Sequence, residues 1–386
     1  RPPRRHGRPG RQEHRGPLNR PGWAARARLP EFPWDRLAPY GERARAHQGG
    51  VVDLSIGTPV DPTPDVVQQA LRDAADAPGY PLTIGTPAVR EALVAWSRER
   101  LGADVDARHV VPSIGSKELV ALLPVLLGLA PGSTVLIPEL AYPTYDAGAR
   151  LAGCVPVATD DPTSHDPSSV SLVWVNSPSN PTGRVLPADE LARVVAWARE
   201  HDVLVASDEC YLELGWDAEP VSVLHPSVSG GSTDGVLALH SLSKRSNLAG
   251  YRAGFAVGDE HAVAALVEAR KHIGLLSPAP VQAALVAALG DSSHVVVQKE
   301  RYRARRTRLR AAVEAAGFRV DHSEAGLYLW CTRDEACWDT VAALAGVGVL
   351  VAPGEFYGAA GARHVRMALT ATDERIDAAV ERLAAL

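Results

Sequence analysis

Four cysteines, Cys154, Cys210, Cys331 and Cys337, are too few and too irregularly spaced for a disulfide framework or a zinc site. That scarcity fits a reduced compartment, and a cytoplasmic location is expected. No apolar run approaches the length that spans a bilayer, and the basic N-terminal stretch lacks the hydrophobic core of a secretory signal. The 13 histidines show no paired ligand spacing, and neither a Walker-type loop nor a dinucleotide fingerprint occurs. Metal, nucleoside-triphosphate and nicotinamide chemistry therefore lose their usual support. No internal repeat is visible.

What is present is an ordinary globular composition, 46% hydrophobic and 22% charged, long enough in 386 residues for a main domain and a smaller one. The charge is unevenly shared. Residues 1–28 carry nine arginines against one acidic residue, Glu13, so this arm is +8 and the remainder −13 within a net charge of −5. Rich in Pro and Gly and without apolar periodicity, the arm is expected to be disordered. We read it as sequence translated from upstream of the true start, in preference to a transit peptide or a nucleic-acid-binding tail. Neither nucleic acid nor membrane is expected as a partner.

The most informative stretch is Ser241-Leu-Ser243-Lys244-Arg-Ser-Asn-Leu-Ala-Gly250-Tyr-Arg252-Ala-Gly254. It sets a lysine amine beside two hydroxyls and a fixed cation. The amine can form a Schiff base with an aldehyde cofactor such as pyridoxal, while Ser241, Ser243 and Arg252 meet its phosphate; a guanidinium suits a dianion because it donates two parallel hydrogen bonds. Upstream, the apolar Val203-Leu-Val-Ala-Ser207 leads into Asp208-Glu-Cys-Tyr211. A carboxylate at the end of such a strand can hold the pyridine nitrogen protonated, which makes the ring an electron sink. Asp208 takes that role. Before it comes Asn176-Ser-Pro-Ser-Asn180-Pro181-Thr182-Gly183, strong turn chemistry in itself.

Helix and strand signals alternate between these motifs. Helices are predicted over Asp65 to Ala77, from the Thr86-Pro87 cap through Leu101, over Ser116 to Leu129 and over Pro187 to Glu200. Strands are predicted at Thr134 to Ile137, Ser171 to Val175, Val203 to Ala206 and Val236 to His240, placing Asp208 and Ser241 just past strand ends. This is the βαβ rhythm of an α/β fold, a mostly parallel sheet with helices on both faces. Beyond residue 278 come longer helices, Pro280 to Leu289 and about His294 to Ala316, the latter with Arg on its outer face. Strands Leu327 to Cys331, Gly348 to Val351 and His364 to Ala368 follow, with a closing helix from Asp373. A short helical segment opens at Leu29-Pro-Glu-Phe-Pro-Trp-Asp35, and Val51 to Ile56 reads as a strand. We expect a large cofactor-binding domain at 62–290 and a smaller α/β domain built from 29–61 with 291–386.

Residues 29–386 resemble the class I and II aminotransferases of pyridoxal-phosphate fold type I, and the remaining roles are implied by that resemblance. Ser113-Ile-Gly115-Ser116-Lys117 resembles the glycine turn that opens a helix at the cofactor phosphate, with Ser116 and Lys117 beside it; a helix N-terminus is already an anion site. Tyr142, in Glu139-Leu-Ala-Tyr142-Pro-Thr-Tyr145, matches the aromatic residue stacked on the pyridine ring. Tyr211 and Asn180 match residues that bind the phenolic oxygen, and Asn180 also faces substrate. Tyr80, in Gly79-Tyr80-Pro-Leu-Thr-Ile-Gly85, matches a tyrosine that reaches the phosphate of a neighbouring subunit, which implies a homodimer with shared sites. Gly57 lies in the mobile loop over the substrate, and Arg366 matches the clamp for the substrate α-carboxylate.

The implied cofactor is pyridoxal 5'-phosphate and the implied reaction is ping-pong transamination, with Lys244 freed to act as the base. Within the family the motifs look most like succinyldiaminopimelate aminotransferases, which serve lysine and peptidoglycan precursors. Arg184 or Lys271 could then meet the distal carboxylates. Aspartate, prephenate and aromatic amino acid aminotransferases and C–S lyases share the same set, and a transcription regulator would need a DNA-binding domain that residues 1–28 are too short to form.

Overall fold

The computed structural model describes residues 29–30 and 33–386, so the predicted disordered arm, 1–28, lies outside the described residues. Two sheets organise the chain after the N-terminal strand β1 (Val52–Asp53). The main one has seven strands in the order β2 (Val110–Ile114), β8 (Ala253–Gly258), β7 (Val236–Ser241), β6 (Leu204–Asp208), β5 (Val170–Asn176), β3 (Thr134–Ile137) and β4 (Val155–Ala158). Strands β4, β3, β5, β6 and β7 are parallel; β8 runs against both its neighbours.

Period-two side chains explain why both faces of this sheet are covered. Leu172 and Trp174 of β5, Val135 and Ile137 of β3, and Leu237 and Leu239 of β7 share one cluster with Leu119, Leu123, Val263 and Leu266. Val173 and Val175, Leu136, and Val236 and Ala238 join the opposite cluster, with Val89, Leu93, Leu191, Val195 and Leu285. Each fully buried Leu or Val stabilises the fold by roughly 1.5–3 kcal/mol. Apart from α1 (Ala38–Arg45), whose Ala44 belongs to the C-terminal core, the helices behind these contacts are α2 (Asp65–Asp73), α3 (Pro87–Leu101), α4 (Gly115–Leu126), α5 (Thr144–Leu151), α6 (Ala188–Glu200), the single turn α7 (Leu242–Arg245), α8 (Glu260–Ile273) and α9 (Ala279–Gly290). Thr86 caps α3 by accepting from the Val89 N–H, and α9 packs against α2 and α3.

The C-terminal part forms a four-stranded antiparallel sheet, β12 (Ala352–Pro353), β13 (Val365–Ala368), β10 (Tyr328–Thr332) and β9 (Arg319–Asp321), while β11 (Val349–Leu350) pairs in parallel with β1. Helices α10 (Ser293–Ala315), α11 (Cys337–Gly346) and α12 (Asp373–Leu383) pack with it around a third core that includes Leu37, Leu54, Leu309, Trp330 and Leu344.

Several expectations are corrected. The helix from Asp65 stops at Asp73, and the first helical segment is a 3-10 turn at Pro33–Leu37 running into α1. The strand expected over Gly348 to Val351 shortens to β11, Val349–Leu350, which pairs with β1, and a separate strand, β12, follows it and pairs with β13. The arginines of α10 are not all on its outer face: Arg305 and Arg306 are buried, and Arg305 binds Asp61 in two-point fashion at 2.7 Å and Asp373 at 3.1 Å. Strand β8, with Ala253 to Gly258 continuing directly from the lysine motif, has no counterpart among the predicted strands. Among the described residues no single helix is long and apolar enough to cross a membrane.

Candidate active site

Register brings the motifs together at one edge of the main sheet. Asn176 lies opposite Asp208 across β5 and β6, and Ser241, Gly254 and Ser113 are aligned across β7, β8 and β2. Asp208 and Ser241 are the last residues of their strands, where they were expected just beyond them. The hydrogen-bonded ladder thus continues one or two residues further than the apolar pattern, because the carboxylate and hydroxyl find partners at the sheet edge.

Asp208 is buried, and its carboxylate is held at both oxygens. The Tyr145 hydroxyl donates to Oδ2 at 3.0 Å and the Cys210 N–H donates to Oδ1 at 3.2 Å. Burial pushes its pKa up while those hydrogen bonds oppose the shift. Tyr145 is itself fixed by stacking on Trp174, with ring centroids 4.8 Å apart. Tyr142 sits edge-on to Tyr145 at 5.9 Å, and burial pushes its phenol up to about 12.

Lys244 occupies the single turn α7, whose cap is Ser241: its Oγ accepts from the Ser243 N–H at 3.1 Å and its hydroxyl bonds the Ser243 Oγ at 2.9 Å. The Lys244 amine donates to the carbonyl of Gly57. Burial lowers its pKa, and the charges of Arg366 and Arg252 push the same way against Tyr328 and Cys210. A neutral amine is therefore easier to populate here than in water.

Across from Ser241, Gly115 opens α4 with φ of +71°, and a Cβ there would lie 2.7 Å from Cζ of Arg252, so only glycine lets the guanidinium approach the helix N-terminus. Arg252 donates to the Ala249 carbonyl at 2.9 Å. The Ser116 hydroxyl accepts from Cys210 Sγ at 3.1 Å, and the exposed Lys117 ammonium stands 5.9 Å from the Tyr142 ring centre.

A second cluster is built around Arg366 on β13, which is buried. Its Nη1 donates to Asn180 Oδ1 and its Nη2 to the Ser55 carbonyl, both at 2.7 Å. Its guanidinium carbon lies 3.9 Å from the Tyr328 ring centre and 4.9 Å from that of Tyr357. The Asn180 N–H donates to Asn176 Oδ1 at 2.7 Å, and Asn176 Nδ2 donates to the Asp208 carbonyl at 2.8 Å, so one chain of hydrogen bonds joins Arg366 to Asp208. Tyr211 shares a 3.0 Å hydrogen bond with Tyr328.

Of the sequence-predicted residues, Lys244, Asp208, Tyr142, Tyr211, Asn180, Arg366 and Gly57 are linked through these contacts, and Ser116, Ser241, Ser243 and Arg252 border the same edge. Tyr80 is not brought in: its side chain stands 98% exposed. Lys271 also lies elsewhere, exposed on α8 and paired with Glu268 at 2.7 Å. Arg184 binds Glu190 at 3.0 Å and lines a cavity of about 120 Å³ with Asn176, Ser179 and Trp174, next to the Asn180 turn. Sequence reasoning assigned no role to Tyr145, Asn176, Ser55 or Tyr328. Tyr145 and Asn176 belong to motifs it singled out, whereas Tyr328 lies in an apolar strand that carries no local signal.

The arrangement offers an anion cradle of hydroxyls, a helix N-terminus and an arginine at one end, and a tethered carboxylate beside aromatic rings and an amine at the other. That donor set fits a phosphorylated, aldehyde-bearing pyridine. A mixed, mostly parallel sheet with helices on both faces and this edge defines a fold-type-I pyridoxal-phosphate enzyme. Residues 49–383 match the family model for aminotransferase class I and II. The chain is 59% identical over 355 residues to the 4-dedimethylamino-4-oxo-anhydrotetracycline transaminase of Streptomyces rimosus, covering 92% of this chain and 99% of that one. It is also 59% identical over 375 residues to a probable aminotransferase of Mycobacterium tuberculosis, covering 96% and 90%. A solved structure of a probable N-succinyldiaminopimelate aminotransferase from Thermus thermophilus superposes with a TM-score of 0.82 at 30% identity, covering 92% of this chain and all of that one. The chain belongs to the class I and II aminotransferase family. It is a pyridoxal-phosphate-dependent aminotransferase, of a family that acts on amino and oxo acids and is typically homodimeric.

Proposed function

We propose that this enzyme moves the amino group of glutamate to N-succinyl-2-amino-6-oxopimelate, or the reverse, in making lysine and peptidoglycan precursors. The observation that carries the amino-acid half is Arg366: a buried guanidinium, tethered by Asn180 and Ser55 and stacked on two tyrosines, can take an α-carboxylate in a two-point bond. The likeness to the Thermus thermophilus structure supports the succinylated acceptor. A second reading is favoured by the 59% identity to the Streptomyces rimosus transaminase, whose name specifies a 4-oxo polycyclic substrate.

Bound pyridoxal phosphate supplies an aldehyde carbon for the amino group and a ring that takes up the electrons of the broken C–H bond. In our reading Asp208 holds the ring nitrogen, Tyr142 covers the ring, and Asn180 and Tyr211 meet its phenolic oxygen. Ser116, Lys117, Ser241, Ser243 and Arg252 meet the phosphate. Lys244 would hold the cofactor covalently, and its amine, whose pKa burial lowers, would be the base for the α-proton. The Gly57 loop closes over the substrate and excludes water. Tyr80, with Leu82, Ile56 and Ile273 also exposed, would reach the site of a second copy in a homodimer. Residues 62–290 act as the large unit and 29–61 with 291–386 as the small one.

Two measurements test this. Lys244→Ala is expected to lose the covalent cofactor absorption and all turnover; full transamination by that variant would end the proposal. With glutamate as donor, a panel containing the succinylated oxo acid, oxaloacetate, prephenate and a polycyclic ketone decides the acceptor. Preference for the polycyclic ketone would replace the first reading by the second.

A further inference from the structure

Tyr328 lies where three parts of the site meet. It pairs with Ala368 across β10 and β13, which makes Arg366 its diagonal neighbour on the same face of the sheet. Its ring then supports the guanidinium at 3.9 Å, an attraction strengthened by exclusion of water. Its hydroxyl is 3.0 Å from that of Tyr211. The Gly57 loop closes over it so tightly that a Cβ on Gly57 would lie 2.9 Å from two of its ring carbons.

We propose that Tyr328 is a further positioning residue: it hydrogen-bonds Tyr211 while carrying the Arg366 guanidinium, so that occupation of the carboxylate clamp is felt by the phenol beside the cofactor. This rests on the reading that Tyr211 faces the cofactor's phenolic oxygen. The direction of the hydrogen bond follows from acidity. Burial alone would push the Tyr328 phenol up, but Arg366, then Lys244 and the hydrogen bond with Tyr211 outweigh it and leave it below its ordinary value. Tyr211 is driven well up by burial and by Tyr328. Either hydroxyl of this 3.0 Å pair can donate; in the proposal the stronger acid, Tyr328 beside Arg366, donates to Tyr211, and the Tyr211 proton is left for the cofactor side.

A substrate carboxylate on Arg366 cancels part of the charge that makes Tyr328 acidic and weakens this donation. Rising pH has a different effect: ionised Tyr328 draws the Tyr211 proton to itself, away from the cofactor. The other titratable groups facing Tyr328 are Cys210, Tyr142, Tyr302 and Tyr357, whose thiol and phenols are all raised by burial. None of them replaces it as the acidic member.

The test uses the ultraviolet tyrosinate band of cofactor-free protein, so it stands apart from the cofactor assignment tested with Lys244→Ala. Of the nine tyrosines, one, Tyr328, is expected to ionise below the ordinary phenol value, to move to higher pH when glutarate occupies Arg366, and to vanish from the titration in Tyr328→Phe. In the loaded enzyme Tyr328→Phe should lower kcat/KM roughly fivefold and displace the pH midpoint of the visible band. A wild-type titration indifferent to glutarate overturns the proposal, even where Tyr328→Phe fails to fold. So does a Tyr328→Phe titration that superposes on wild type.

Discussion

Gly57→Ala is the smallest change that separates geometry from chemistry at this site. The φ of Gly57 lies outside the left-handed region, so an added methyl costs only space. That space is absent: the Cβ would sit 2.9 Å from Cε1 and Cζ of Tyr328 and closer still to its hydroxyl oxygen, whereas ordinary contact begins at 3.4 Å. Tyr328 is buried and braced by Tyr211 and Arg366, so it is the loop that must retreat, by about 0.5–1 Å. Overpacking of this kind costs about 1–3 kcal/mol, which in a chain of this size lowers Tm by only about 1–4 °C. The activity should suffer far more. The Gly57 carbonyl accepts a hydrogen bond from the Lys244 amine, and the Ser55 carbonyl, two residues earlier, tethers Arg366, so the displacement reaches both Lys244 and Arg366. A misplacement near 1 Å costs about a hundredfold in kcat/KM. Steady-state kinetics beside a thermal melt checks this, with Gly290→Ala, which meets nothing within 4 Å, as a neutral control. Wild-type kcat/KM in Gly57→Ala would refute the reasoning.

Tyr145→Phe removes the donor to Asp208 Oδ2 without touching the ring stack on Trp174; cofactor affinity measured by equilibrium titration should fall about tenfold or more. Arg305→Ala leaves the half-buried Asp61 without its two-point partner and should cost about 1.5–3 kcal/mol in denaturant unfolding. Desolvation works against Asp61 ionisation, but its hydrogen bonds to Arg305 and Gln298 prevail and lower its pKa, so its contribution is present above the unfolded carboxyl pKa near 3.8 and is lost as pH falls below it. Behind the site, Glu209 and His240 face each other at 3.5 Å, each with an unpartnered buried atom. Burial raises Glu209 to about 7 from 4.5 and lowers His240 to about 3 from 6.5. The folded state therefore holds an extra proton on Glu209 and one fewer on His240 between pH 4.5 and 6.5, and the two slopes of stability against pH oppose each other. Glu209→Gln removes the falling slope, so its stability should climb more steeply with pH across that window; a profile parallel to wild type would contradict the assignment.

The local sequence by itself determined a good deal. Strands with near-continuous apolar runs are buried on both sides, and that pattern located β3, β5, β6 and β7 to within one or two residues. Thr86-Pro87 marked a helix start because capping is a single-residue property, and the Gly115 turn came with the family resemblance. The lysine, aspartate and Asn-Pro-Thr-Gly motifs were legible because each sits on one short segment at a strand end. What only the tertiary structure decided is everything that depends on two segments meeting. Strand β8 runs antiparallel because the turn after Lys244 is too short for a crossover, Arg305 turns inward because Asp61 and Asp373 await it, and Tyr328 faces Arg366 because two strands pair in one register. An apolar pattern reports burial, not the partner that buries it; the bond from Tyr328 to Tyr211, 117 residues away, exists only once both sheets have formed.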